Sequence, residues 1–495
     1  MRRMVVGAAM GLALGMQAAA TQAWADWREV RTENFVVQGD ASGGTLRAFA
    51  EELERYRAFL AALTVGQAEA EPVLVPVYVM ASSGSFDDIF SNKDALGVYT
   101  RRIDSPIFVA NAKRADGRSS VRGQRYDTGR QARTVVKHEY VHHFTYMNGP
   151  TYWPLWYSEG FAEYLSTFRY EDGAAVIGSP PSMRGWALAD RKRLPYEDVL
   201  TSVLGWRGEG RPSSETVSRY YAQAWLATHY LRQNPETAGQ VSAYLSAIRA
   251  NPREPVAALE AAFGDVEALA AAMADYQRTN RFGQLRLPMP AVEVGPYEVT
   301  RLDGWESDYR LAVARRFFAR EESRERLAED FEALLERRPD HAGALAELAH
   351  LRLSQEDAEA AEAVLVRLEA VDPEGGETQL LRGLVRGGPG ARDAYDAARK
   401  AEPKNARAHY EFARTHIGGA NEAALDAALT AMALSADSFD VPLVAATLLA
   451  ELGYADDARY LAEPLAVWPQ DRSKRARAKR LLDGLPPASE AASAR

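Results

Sequence analysis

The chain of 495 residues contains no cysteine. That excludes a disulfide framework and a lipid-anchored cysteine. Histidine is scarce, eight in all, yet three of the eight fall within six positions, at His138, His142 and His143. Beyond the first 25 residues no stretch is apolar enough to cross a bilayer, so the mature protein is expected to be soluble, with no stable membrane insertion. Positive charge is not in excess. The net charge is −9, and removing Arg2 and Arg3 with the leader leaves −11, which disfavours nucleic acid as the main partner. What remains is a hydrophobic content of 47% and a charged content of 26%, the balance of a globular protein, with length for two or three domains.

Residues 1–25 read as a cleavable signal peptide. Arg2 and Arg3 form a positive n-region, Val5 to Ala20 an apolar and small-residue stretch, and Ala23-Trp24-Ala25 an A-x-A cleavage site before Asp26. A periplasmic or secreted location is therefore expected.

The chemistry concentrates in Arg133 to Tyr146. This run reads as a helix and contains His138-Glu139-Tyr140-Val141-His142, an H-E-x-x-H pattern. Residues four apart lie on one helix face, so two imidazoles there can share a tetrahedral Zn²⁺, with Glu139 beside them to take a proton from water. Chance alone would produce the pattern on the order of once per hundred sequences of this composition. Asn148-Gly149-Pro150 breaks the helix, and Trp153 to Ser166 resumes helical spacing with Pro154 in the first turn. A short turn between two antiparallel helices would return Glu159 toward the histidines. It would supply a third protein ligand and leave a fourth position open, as in a catalytic rather than a structural site.

These residues resemble the gluzincin zinc metallopeptidases, and the W-x-x-E-G-x-A-E-Y form is similar to the bacterial peptidase-MA-like group. The resemblance implies an α+β zincin-like catalytic domain, a small sheet plus helices, that hydrolyses peptide bonds in a peptide or protein substrate. It makes His138, His142 and Glu159 the metal ligands, Glu139 the general base, and Glu163 a carboxylate orienting a ligand histidine. A solvated or first-turn carboxylate is the alternative for Glu163. His143, one residue off the metal face, reads as packing or surface. In aminopeptidase-type relatives a Tyr in a Y-x-x-G/A setting donates to the oxyanion, and Tyr221-Ala-Gln-Ala224 is similar to it. Tyr220 competes for that role, and a plain buried aromatic is the alternative; His229 reads as an interior helix residue. No counterpart of the G-A-M-E-N element is evident, which favours an endopeptidase over an aminopeptidase.

Around this centre the spacing predicts a strand over Trp27 to Gln38, a helix from Gly43 to Leu63, a half-buried strand through Val73, Val75, Val77 and Val79, and strands at Gly97-Val98-Tyr99 and Pro106 to Asn111. A polar loop through Arg122 follows. By the resemblance an edge strand beside the metal would pair with extended substrate; Phe108 to Asn111 is the candidate edge, with an interior strand as the alternative. Residues 26–170 thus hold the sheet and zinc helices, and residues 171–296 a helical lobe with a breaker-rich loop at Gly205 to Ser214, ending in the Pro/Gly-rich stretch Leu287 to Pro296.

Residues 297–485 follow another logic. Breakers recur at Pro339, Pro373, Pro403, Asp437 and Pro469, spaced by 34, 30, 34 and 32 residues, close to the tetratricopeptide (TPR) period. Leu345, Leu348, Ala349, Ala361 and Leu365 precede one break, and Ala391, Tyr395 and Ala398 the next. An all-α TPR-like solenoid is expected, with a surface for protein segments. The basic run Asp471 to Arg480 reads as a solvated terminal cap, and residues 486–495 as a disordered tail. The rival reading is an envelope interaction scaffold whose zinc lobe is inactive or acts on a non-peptide substrate.

Overall fold

The computed structural model describes residues 26–64, 70–91, 95–112, 118–121, 124–148, 153–190, 192–202, 212–252, 254–436, 439–468 and 471–487. The signal segment, the Gly149-Pro150 turn, most of the Gly205 to Ser214 loop, the breakers Asp437 and Pro469, and the tail from Ala488 lie outside the described residues.

Trp27 to Gln38 is two strands rather than one. β1 (Arg28–Arg31) and β2 (Phe35–Gly39) pair antiparallel. The chain reverses at Thr32-Glu33-Asn34, where the Thr32 hydroxyl accepts from Phe35 N at 3.0 Å and Asn34 is held by Glu54. Helix α1 (Gly43–Thr64) leads to β3 (Val75–Met80), α2 (Ser83–Ile89), β4 (Gly97–Thr100) and β5 (Ile107–Asn111). With β11 (Thr300–Arg301) they form a sheet in the order β11-β1-β2-β3-β5-β4. β2, β3 and β5 run parallel, and β4 returns antiparallel to β5. The expected edge is therefore corrected. Phe108 to Asn111 is interior, between β3 and β4; among the described residues β4 is the edge on that side and β11 the edge on the other.

β3 was expected to be half-buried, but both of its faces are covered. Val75, Val77 and Val79 enter the main core with α1, while Tyr78 and Met80 pack with Leu311 and Ala314 of α12 (Gly304–Phe318). A covering helix more than two hundred residues away leaves no trace in local alternation. The short hairpin β6 (Arg118–Val121) and β7 (Gln124–Asp127) stands where a polar loop was expected.

Next come α3 (Thr128–Asn148) and α4 (Leu155–Ser166), then β8 (Arg169–Glu171) and β9 (Ala174–Ile177) in a chain segment expected to be helical. Asp172-Gly173 makes the turn with φ of 48° and 78°, the positive-φ pair that closes a two-residue hairpin. Short α5 (Gly185–Ala189) and α6 (Tyr196–Leu200) precede α7 (Ser214–Gln233), α8 (Pro235–Ala238), α9 (Gln240–Ala250), α10 (Pro255–Phe263) and α11 (Val266–Thr279). β10 (Leu285–Pro288) then pairs with β9, so the Pro-rich stretch begins as a strand.

From α12 onward the chain is helical: α13 (Glu321–Arg337), α14 (Ala342–Ser354), α15 (Ala358–Val371), α16 (Gly376–Arg386), α17 (Ala391–Ala401), α18 (Ala406–Arg414), α19 (Glu422–Leu434), α20 (Asp440–Glu451), α21 (Ala455–Leu465) and α22 (Arg472–Asp483). Helices pack most closely as the pairs α14/α15, α16/α17, α18/α19 and α20/α21, and first helices of neighbouring units also touch at α12/α14, α14/α16 and α18/α20. This is a TPR-like stacking of helix pairs. All eight apolar positions read from the repeat are buried. The short α16/α17 unit closes because Gly383 has no Cβ to meet the ring of Tyr395. Residues 297–302 are no free linker, since β11 joins β1 and α12 covers the sheet. Among the described residues no helix is long and apolar enough to cross a membrane.

Candidate metal centre

Helix α3 presents His138 and His142 one turn apart, and α4 lies alongside it. His142 approaches Glu159, while His138 approaches both Glu159 and Glu163. A step of four forward on one helix thus matches a step of four backward on the other, which is the register of antiparallel neighbours. His138 Nε2 lies 3.2 Å from Glu159 Oε2 and 3.3 Å from His142 Nε2, and His142 Nε2 lies 3.5 Å from the same carboxylate oxygen. One ligand atom from each of the three side chains falls within 4.8 Å of the others. Among the described residues no other three His or carboxylate groups converge in this way.

Two imidazole nitrogens and a carboxylate oxygen this close need a proton or a metal ion between them. In the protein alone that role falls to protons on the rings. Burial works to lower the His138 pKa, but the hydrogen bond to Glu159 and the charges of Glu163 and Glu139 raise it to about 9. Burial likewise opposes the Glu159 charge, yet His142 and His138 hold its carboxyl well below the usual range. Two imidazoles and one carboxylate are a donor set suited to zinc, with one position left for a non-protein ligand.

The residues around the triad fix its geometry. Glu163 Oε1 sits 3.9 Å behind His138 Nδ1 and accepts from Arg184 Nε at 2.9 Å. Arg184 also lies over the Tyr221 ring, 4.9 Å from its centroid. The Tyr221 ring centroid is 6.1 Å from that of His138. Tyr220 points away into the core, its hydroxyl 2.6 Å from Ser202 Oγ. Of the two candidate tyrosines, only Tyr221 borders the histidines. The charge of Glu159, aided by burial, pushes its pKa well above the ordinary value and keeps the phenol protonated. Tyr221 reaches the centre because Gly160 lets α7 close on α4. A Cβ at Gly160 would run into Ala224 O and Thr228 Oγ1.

Beneath His138 and His142, α3 is anchored by buried polar contacts. Lys137 Nζ donates to Glu52 Oε1 and Phe168 O, both at 2.7 Å. His143 is buried (2% exposed) rather than on the surface. Its Nδ1 is 3.1 Å from Tyr99 Oη on β4, and its Nε2 is 3.4 Å from Glu71 Oε2. Tyr140 Oη donates to Glu71 Oε1 at 2.6 Å. His143 thus connects α3 to the edge strand β4. His229 is fully buried, with Nε2 2.9 Å from Gly283 O, as an interior residue. Glu139 is partly exposed and makes no hydrogen bond or ion pair among the described residues.

Arg184 was missed from the sequence. It stands alone in a Ser-Pro-Pro-Ser-Met-Arg-Gly stretch with no periodic or spacing signal, and only the fold brings it to Glu163 and Tyr221. His143 carried a weak signal, its adjacency to a ligand position.

No family profile and no curated protein matches the chain. Among solved structures, a thermophilic TPR protein of Thermus thermophilus is similar at 20% identity, with 36% of this chain and 99% of that chain covered and a TM-score of 0.29. So low a score establishes no common fold. The stacked helix pairs rest on the packing described above.

Proposed function

We propose that the chain is a gluzincin-type, zinc-dependent metallopeptidase fused to a TPR-like array. The observation that carries this reading is the convergence of His138, His142 and Glu159, with Glu139 next to His138 in the chain. These three side chains would hold the ion. Zinc in such a set supplies Lewis acidity, acidifying water and polarising a carbonyl.

The chain's own groups then divide the work. Glu139 accepts a proton from the attacking water and passes it to the leaving amine, a transfer worth about 10²–10⁴-fold in rate. Tyr221, protonated throughout the neutral range, donates a hydrogen bond to the oxyanion. Glu163 and Arg184 hold His138 and Tyr221 in place. The free edge of β4 offers main-chain pairing to an extended peptide, which favours endopeptidase action. The leader-like residues 1–25 support action outside the cytoplasm.

The test joins metal analysis to a digest of unbiased peptides. Glu139→Gln should retain about one zinc per chain and lose turnover by at least about 10²-fold, whereas His138→Ala should lose both. Turnover that survives Glu139→Gln in a zinc-loaded preparation rules out the mechanism. A second reading, a protein-interaction scaffold, is favoured by the array itself, since stacked helix pairs commonly bind protein segments. Stoichiometric zinc without turnover on any peptide or protein would favour it.

A further inference from the structure

The array's first helices carry a line of polar pairs that steps from each unit to the next. Arg316 of α12 pairs with Glu347 of α14, and His350 of α14 with Glu377 of α16. Glu377 accepts from Asn405 Nδ2 at 3.1 Å, at the cap of α18. The next charge in line is Arg407 of α18. Its nearest carboxylate belongs to the other half of the molecule: Nη1 donates to Asp104 Oδ1 at 3.1 Å, while Glu411 of its own helix stands 3.7 Å away.

Asp104 lies in Arg101 to Pro106, the loop joining β4 to β5. The loop touches both halves. Arg102 lies over the Phe317 ring of α12, 5.6 Å from its centroid, and Arg101 over the Tyr146 ring of α3, 4.1 Å away. The Asp104 side chain is 21% exposed. Burial opposes its charge, but Arg407, His350 and Arg316 hold its carboxyl below the ordinary range. The line of pairs on the array is thus completed by a residue from the sheet.

We propose that the wall of first helices is an intramolecular receptor for the β4–β5 loop, with Asp104 as its acidic ligand and Arg407 as the receiving cation. The array thereby holds the free edge strand in place. A protein partner that engages this wall would be an acidic segment competing with Asp104 for Arg407, and its binding would loosen β4. Because β4 also carries Tyr99, bonded to His143, release of the loop would be felt at the ligand helix. The contact stands on geometry alone; only its consequence for turnover rests on the peptidase reading.

The test measures amide hydrogen exchange on the full chain, so it needs no substrate. Asp104→Arg and Arg407→Glu should each speed exchange across residues 97–111 by about fivefold or more, since strand protection tracks local opening. Exchange in α21 should not change. The double variant carrying both reversals should recover part of that protection, because the pair is re-formed with opposite polarity while Arg316 and Glu411 beside it keep their charge. Should either single variant not fold, Asp104→Asn and Arg407→Gln replace them, with the same direction expected. Unchanged protection in the single variants, or a double variant no better than either, overturns the proposal. A further measurement separates it from the peptidase reading: loss of strand protection with no loss of bound zinc supports the clasp whether or not peptides are cleaved.

Discussion

Two pairs of neighbouring helices, α3/α4 and α14/α15, are built to the same plan and filled differently. Between α14 and α15 lie Leu345, Leu348, Ala349, Ala361, Leu365 and Leu368, all buried and all apolar. The α3/α4 pair shares its core with Tyr140, Val141, Phe144 and Phe161, yet it also buries Lys137, His143 and Glu163. An apolar contact stabilises wherever it is dry. A buried charge stabilises only while its partners are in place, and otherwise costs more than it returns. Each of these three has such partners: Glu52 and Phe168 O for Lys137, Glu71 and Tyr99 for His143, Arg184 for Glu163. The array pair maintains a shape, whereas the α3/α4 pair maintains a constellation of polar groups.

The comparison breaks if the two pairs respond alike to substitution. Leu365→Ala in the array should cost about 2–5 kcal/mol in urea denaturation and leave zinc affinity unchanged. Gly160→Ala should cost about 1–3 kcal/mol as overpacking and depress zinc binding too, because the clash is with backbone and pushes α7 off α4. Gly383→Ala should cost less, since the Tyr395 ring it meets can turn aside. Arg184→Met should lower the denaturation midpoint, because it takes the cation from the buried Glu163, and should also lower zinc affinity or turnover about 10–100-fold; zinc affinity and turnover unchanged beside that loss of stability would make Arg184 a packing residue only.

The smallest effect is one of pH. The protonated His138 stabilises the metal-free fold fully below the ordinary histidine value of 6.5, and that increment disappears as pH rises through about 9. Zinc must displace the same proton, so its affinity should rise about tenfold per pH unit up to about 9 and then level off. Titration calorimetry at pH 6, 7.5 and 9 reads this directly. A flat profile would mean that His138 is already neutral.

Much of this was legible in residues 138–163, because helical periodicity converts spacing into direction. H-E-x-x-H places two imidazoles on one face, and a proline-broken turn returns Glu159. The repeat breakers and the apolar positions between them were legible for the same reason, each unit packing mainly on its neighbours. The identity of the edge strand was not. Phe108 to Asn111 and Gly97 to Thr100 are both short and β-prone, and strand order is decided by pairing between distant segments. The choice between Tyr220 and Tyr221 was equally closed to inspection, since adjacent helical residues differ by about 100° in direction and only the packing of α7 on Gly160 says which faces the histidines.

The sequence by itself determined which side chains could meet within one helix or across one turn, and that the last third is a stack of helix pairs. Tertiary structure alone decided what lies over those side chains. It set Arg184 against Glu163 and Tyr221, covered the second face of the sheet with α12, and brought Asp104 to Arg407 across 303 positions. The physical reason is that periodicity encodes neighbours within a few residues, whereas contacts between remote segments follow from how faces of the whole chain cover one another.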